Sequence, residues 1–403
     1  MADKKSISMK NSFMNGVLFV ASVSFALLIG EVIVRVMEAG APSRGEEQVL
    51  ADDPYLDHKV AWAHDVDADG WRNTAIPEQV DIIAIGDSMT QGLGVPREEA
   101  WPQVLARLAS TSVYQMALGG YGPVHYTHLT ETSKQFSPRI VIVGFYLGND
   151  LYDSYAAAYN LWVWKDLRDA NFHVPEESYL NVDVPRLSID GAPVGIKREE
   201  LDTSVPWIRT HVRLYARMLG TLLAFEEKFG PDDREKFPEL FQAGEASDNY
   251  TYVDEPAITT VMSPSYRFDT VDLDNPITKE GWRVTQERFL STHGALPVET
   301  KFVIVAIPTK EAVYLDLMQK ETGTIPEQFR KYKLKEDALQ QAFLTFCDVN
   351  GITCFSLRPT LGGMLALKKP IYKTEMDGHP TALGYRAMAE GISGFLKGKG
   401  YIP

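Results

Sequence analysis

The chain has 403 residues, 45% of them hydrophobic and 23% charged, a balance that builds a core and not a disordered polymer. With 40 basic against 54 acidic residues its formal charge is -14, and no Lys/Arg cluster offsets it. This excludes nucleic acid as a partner, since that needs a basic surface against phosphates, while the length suits one large domain or two smaller ones.

Lys4, Lys5 and Lys10 precede an uncharged run from Asn11 to Gly30, and apolar residues resume at Val32, Ile33 and Val34. About twenty helical residues at about 1.5 Å each match a bilayer core of about 30 Å, and lysines before such a run keep the amino end in the cytoplasm. Residues 1–40 therefore read as an N-terminal transmembrane helix: a single-pass anchor in a bacterial inner membrane, with the rest of the chain in the periplasm. Ala39-Gly40-Ala41 resembles a signal-peptidase site, and secretion after cleavage near Ala41 is the alternative. The uncharged run is longer than a secretory core, and Glu31 and Arg35 separate it from that site, which favours the anchor.

Residues 41–79 are charged, with Pro, Gly and Asp scattered through them, and read as a stalk and lead-in with a short pairing near Trp71-Arg72. An α/β rhythm follows. Val80–Ile85 is a strand, Glu98–Ala109 a helix with Trp101, Val104, Leu105 and Leu108 at helical spacing, and Ser112–Leu118 a second strand. Pro123–Phe136 is a helix that opens on a proline. Arg139–Tyr146 is a third strand, apolar on both faces and hence central.

The interval 151–300 breaks the rhythm and reads as a mainly helical insertion or cap, with helices at Thr210–Phe229 and Thr278–His293 around a polar stretch, Pro231–Asp254. Its start is aromatic (Tyr155, Tyr159, Trp162, Trp164), which suits core packing first, and otherwise a stacking surface for sugar rings or a slot for an acyl chain. Lys301–Ile307 is a fourth strand, Asp337–Val349 a helix stopped at Gly351, and Ile352–Ser356 a fifth strand. The last helix runs from Thr381, its N-cap, to Lys397, with Leu383, Met388, Ile392 and Phe395 as its apolar stripe. Strands alternating with amphipathic helices imply a parallel, doubly wound sheet of about five strands within residues 80–403.

Cys347 and Cys354, with six residues between them, have no histidine beside them to complete a zinc shell. They read as two small buried hydrophobes, or as a disulfide if the domain is periplasmic. His125 and His128 lack a third ligand, and no metal or organic cofactor is implied.

Gly86-Asp87-Ser88 stands at the carboxyl end of the first strand, where open α/β sheets place their chemistry. A serine needs a base to take its proton and a third group to orient that base. His379 in Asp377-Gly378-His379 opens the last helix and is the base candidate, with Asp377 as the acid that braces it. Gly119-Gly120 after the second strand and Gly148-Asn149-Asp150 after the third offer a backbone N–H and a side-chain amide to a developing oxyanion. All these segments meet along one edge of the sheet.

Together these blocks resemble those of the SGNH/GDSL hydrolases, esterases named for their Ser, Gly, Asn and His segments; the resemblance covers about 80–150 and 301–396. It implies a flavodoxin-like three-layer sandwich, with Ser88 as nucleophile, His379 as base, Asp377 as its acid, and Gly120 and Asn149, with the Ser88 N–H, as the oxyanion hole. Asp87 matches a turn position of the motif and no triad member. The chain departs from the family in spacing Asp377 and His379 with one residue between them, where two are common. It departs again in placing Gln115 where an Asn often stands five residues before the glycine. What the resemblance implies is an extracytoplasmic serine esterase cleaving a carboxylic ester, a small acyl group on a carbohydrate, with an acylated carbohydrate or lipid as substrate. The alternatives are a polysaccharide O-acyltransferase using the same triad, or a non-catalytic carbohydrate-binding or assembly protein.

Overall fold

The computed structural model describes residues 48–173, 250–254, 258–262, 264–373 and 377–403, with short pieces at 22, 29–30, 186–187 and 193–194. Apart from those at 22 and 29–30, these belong to one compact unit, Ser43–Ile196 with Ala246–Pro403. The expected membrane helix, the helix expected at 210–229 and most of the polar stretch 231–254 lie outside the described residues. Among the described residues, no helix is long and apolar enough to cross a membrane.

Five strands form the central sheet: β1 (Ile82–Gly86), β2 (Val113–Ala117), β3 (Ile140–Tyr146), β4 (Lys301–Ile307) and β5 (Thr353–Ser356). Their order is β5-β4-β3-β1-β2 and every pairing is parallel. All seven residues of β3 are buried, as an apolar run covered on both faces requires. This is the doubly wound order of a flavodoxin-like sheet, and the strand order reverses between β1 and β3, which opens a crevice at their carboxyl ends.

Among the described residues the helices are α1 (Ser88–Gln91), α2 (Trp101–Ala109), α3 (Pro123–Ser133), α4 (Asp150–Asn160), α5 (Pro264–Val271), α6 (Pro276–Ala295), α7 (Lys310–Thr322), α8 (Glu327–Val349), α9 (Arg358–Ala366) and α10 (Ala382–Gly398). One layer is the chain of contacts α2, α10, α9 and α7; in the other, α6 packs on both α3 and α4. Phe145 of β3 meets Phe289 of α6 and Phe343 of α8, ring centroids 5.4 and 5.1 Å away, and so joins sheet to layer.

Several expectations need correction. Part of the interval taken as a cap is a layer of the fold. Gly281 of α6 lies so close to α4 that a Cβ there would fall 1.9 Å from the Leu151 carbonyl oxygen. Tyr155 and Tyr159 stack in a buried cluster with Val124, Ile277 and Val284, whereas Trp162 is 73% exposed. Helix α7 was not expected and α8 starts at Glu327, ten residues before the expected Asp337. Buried Lys310, Glu311 and Glu336 interrupt the apolar period there, although Thr309 caps α7 by accepting from the Ala312 N–H. Cys347 and Cys354 are joined as a disulfide, Cα atoms 6.1 Å apart, tying the end of α8 to β5.

The described part of the expected stalk, from Gln48 onward, is built into the body. Gln48–Asp53 and Asp57–Ala63 form an antiparallel hairpin, and Leu56, Val60 and Trp71 belong to the main core. Arg72 is 1% exposed and donates to Asp65 Oδ2 (2.6 Å) and to the carbonyls of Gln91 (3.1 Å), Gly92 (2.6 Å) and Val95 (2.7 Å). Those carbonyls end α1 and the loop after it, so the guanidinium satisfies acceptors that a helix terminus leaves open and faces its negative pole. Arg72→Met should lower the unfolding free energy by about 3 kcal/mol, because it strands a half-buried carboxylate and three carbonyls. Urea denaturation of the two chains measures it, and an unchanged midpoint would refute the clamp.

Candidate active site

Strand β1 ends at Gly86, and Asp87 then caps α1 by accepting the Met89 N–H at 2.9 Å, which makes Ser88 the first helical residue. Gly86 and Gly144 are paired in register, and Thr90 of α1 lies over both. A Cβ on either glycine would come within 2.1 or 2.4 Å of Thr90 Oγ1, so only glycine lets α1 sit directly on the ends of β1 and β3. Gln115, standing where an Asn is common in the family, holds α1 from β2 by donating to the Thr90 carbonyl at 2.8 Å.

The loop after α9 brings His379 to this seat. His379 Nε2 lies 2.8 Å from Ser88 Oγ, and Nδ1 lies 2.6 Å from Asp377 Oδ1. The same carboxylate oxygen accepts the backbone N–H of His379 at 3.0 Å. That turn explains the short spacing, since an Asp two residues upstream reaches both the backbone and the ring of the histidine. With Asp377 accepting the Nδ1 proton, Nε2 is left to accept from the serine hydroxyl. Thr381, accepting from the Gly384 N–H, caps α10 just beyond.

Two lysines that the motifs did not reveal hold Asp377. Lys373 Nζ pairs with Oδ2 at 2.8 Å, and the buried Lys310 donates to the Asp377 carbonyl at 3.2 Å. Burial pushes the Asp377 carboxyl up, but hydrogen bonds from His379 and Lys373 outweigh it and hold the group well below the usual carboxylate range. Lys373 stands four residues before Asp377, a weak signal; Lys310 gave none.

Asp87 is a different case. Burial pushes its carboxyl up to about 6, opposed by the Met89 N–H and the charges of His379 and Arg267. A carboxyl that ionises later in the fold than in the open chain costs stability as pH rises from 3.8 to about 6, and that cost is complete above the window. Asp87→Asn keeps the cap acceptor and loses the charge, so relative to the parent it should gain up to about 3 kcal/mol across that interval. Chemical denaturation of both proteins between pH 4 and pH 8 checks the sign; parallel profiles would refute it.

The two expected oxyanion donors flank β1, one after β2 and one after β3. Gly119 lies against Ser88, since a Cβ on it would be 3.4 Å from Ser88 Cβ, but its N–H is taken by Gln91 Oε1 at 3.2 Å. Gly120, in the left-handed region at φ 82°, presents the next N–H. Asn149 caps α4, and its Nδ2 donates to Asp153 Oδ2 at 2.7 Å, leaving the second amide hydrogen for another acceptor. Asp153, a turn further on, is a partner the motif did not indicate. His125, buried, accepts the Gly122 N–H on Nδ1 at 3.0 Å, and burial lowers its pKa to about 3; His128 stacks on Tyr55.

No protein-family model and no curated protein sequence matches the chain. Among solved structures it is similar to a member of the lipolytic protein G-D-S-L family from Veillonella parvula DSM 2008, with 10% identity over 77% of this chain and 94% of that one and a TM-score of 0.30. It is also similar to an acetyl xylan esterase from the rumen bacterium Butyrivibrio proteoclasticus, with 9% identity over 80% of this chain and 65% of that one and a TM-score of 0.31. The site itself is a Gly-Asp-Ser turn at the switch point of the sheet, hydrogen-bonded through His379 to Asp377.

Proposed function

We propose that the chain is an extracytoplasmic serine esterase that removes a small acyl group from a carbohydrate through an acyl-enzyme. The observation that carries the reading is the unbroken hydrogen-bond chain from Ser88 Oγ through His379 to Asp377. Ser88 Oγ attacks the ester carbonyl carbon as its proton passes to His379 Nε2. The carbonyl oxygen, now negative, meets the Gly120 N–H, the free Asn149 amide hydrogen and the Ser88 N–H. The C–O bond to the sugar then breaks and His379 returns the proton to the leaving alcohol. Water, deprotonated by His379, attacks the acyl carbon and releases the acid and Ser88. Asp377 keeps the imidazole in the tautomer both steps need.

Two features support the location. The Cys347–Cys354 disulfide suits an oxidising compartment, and the lysine-flanked uncharged run at 11–30 suits a membrane anchor with the enzyme outside. A domain tethered there meets acylated envelope polysaccharides, peptidoglycan and lipids. The test is a series of p-nitrophenyl esters from acetyl to long-chain, followed by acetylated polysaccharides with acetate release as the readout. Turnover falling steeply beyond short acyl groups is expected; a preference for long chains would replace the carbohydrate substrate with a lipid. Product formed only when an acceptor polysaccharide is added would mark an acyltransferase.

A further inference from the structure

The turn that carries Gly119 and Gly120 is held from outside the frame that supplies the triad. The N-terminal hairpin delivers His58 to it, with Nε2 3.1 Å from the Gly119 carbonyl oxygen and Nδ1 3.1 Å from Asp57 Oδ2. The carbonyl and carboxylate oxygens only accept, so Nε2 donates to the Gly119 carbonyl and Nδ1 to Asp57. The ring leans on Tyr121, centroids 5.5 Å apart, and the Tyr121 hydroxyl donates to the carbonyl of His58 at 2.6 Å. Both the side chain and the backbone of His58 are thus tied to this one turn.

Gly119 is thereby engaged at both its polar atoms, its N–H by Gln91 and its carbonyl by His58. A trans peptide is planar, so the Gly120 N–H points opposite to the Gly119 carbonyl. Fixing that carbonyl on His58 fixes the direction of the N–H on the other side of the plane. The freedom to be fixed is real, because Gly119 and Gly120 have no side chains to set the plane. His58 lies close enough to do so: a Cβ on Gly120 would be 3.5 Å from its Cε1.

We propose that His58 is a positioning residue of the oxyanion hole: by gripping the Gly119 carbonyl it aims the Gly120 N–H at the oxygen of the acyl group in the transition state. The assignment rests on the serine-esterase reading above. It also gives the hairpin a part in turnover, although the motif blocks do not extend to it.

A role confined to pinning the hairpin would change stability, and a role in aiming the donor changes kcat. The full chain is assayed on p-nitrophenyl acetate as parent, His58→Leu, His58→Asn and His58→Gln, with a melting curve for each. Removing an oxyanion donor outright costs about 10²–10³ in kcat, so misaiming one should cost about ten- to a hundredfold in the leucine variant, with KM within about threefold. The glutamine amide nitrogen falls near the place of imidazole Nε2 and can donate, so His58→Gln should recover kcat to within about fivefold of the parent. Asparagine is one carbon too short and should behave as leucine, and it takes over that arm if His58→Leu does not melt cooperatively. Unchanged kcat in the variants lacking a donor, or glutamine no better than asparagine, would overturn the proposal. If the parent itself has no Ser88-dependent turnover, it is the esterase reading that has failed.

Discussion

Ser88→Ala is expected to lower kcat/KM for an activated ester at least about 10³-fold while leaving the melting curve in place. Among the described residues, the side-chain hydrogen bond of Ser88 is the one to His379 at 2.8 Å, so removing Oγ deletes the nucleophile and disturbs little else. The helix keeps its cap, because Asp87 bonds the Met89 N–H and not Ser88 Oγ. Without Oγ no acyl-enzyme forms, and what remains is direct attack by water assisted by His379 and the oxyanion donors. Fluorophosphonate labelling gives an independent readout: the adduct should map to Ser88 in the parent and vanish in the variant. Equal turnover, or labelling elsewhere, would end the proposed mechanism.

The second large effect separates the base from its acid. His379→Ala should cost about as much as Ser88→Ala, since either one breaks proton transfer, whereas Asp377→Ala should retain about ten- to a hundredfold more activity than His379→Ala. Asp377 orients the ring and stabilises its charged form, and in its absence the imidazole still reaches the serine. The pH dependence follows from the same geometry. Because the Asp377 carboxyl is held below its ordinary value, it is ionised throughout the assay range and should contribute no limb to the pH profile of kcat/KM. A carboxyl with a lowered folded pKa adds stability above 3.8 that is lost as pH falls through the lower folded value. Asp377→Asn should therefore be less stable than the parent near neutrality, with the gap closing in strong acid. An Asp377→Ala variant as inactive as His379→Ala would give the carboxylate a larger part than bracing.

The sequence revealed most where one physical requirement leaves a continuous trace. A strand covered on both faces must be apolar throughout, and Ile140–Tyr146 is. The strand ends with Gly86-Asp87-Ser88 and Gly148-Asn149-Asp150, and the loop with Asp377-Gly378-His379, were legible because each packs its chemistry into three residues. What stayed hidden depends on partners far away in the chain. Arg72 read as part of a short pairing in a charged stretch, yet among the described residues it is in no strand and its backbone acceptors lie at 91, 92 and 95. His58 offered no motif because its partner is a backbone carbonyl. Helix α7 escaped because Lys310 and Glu311, polar by type, are buried by context. The spacing of Asp377 and His379 looked irregular until one oxygen proved to serve both backbone and ring.

The partners in the Ser88–His379 contact are 291 residues apart, at opposite ends of the described unit. At about 5–20 residues per second, a ribosome releases the serine about 15 to 60 s before the histidine. During that interval the growing chain carries a hydroxyl with no base beside it, and a fragment cut short anywhere before His379 stays in the same condition. The helix that follows the histidine packs on α2 and α9. Turnover from this protein therefore reports that both sides of this long-range contact, Ser88 and His379, are present in one chain.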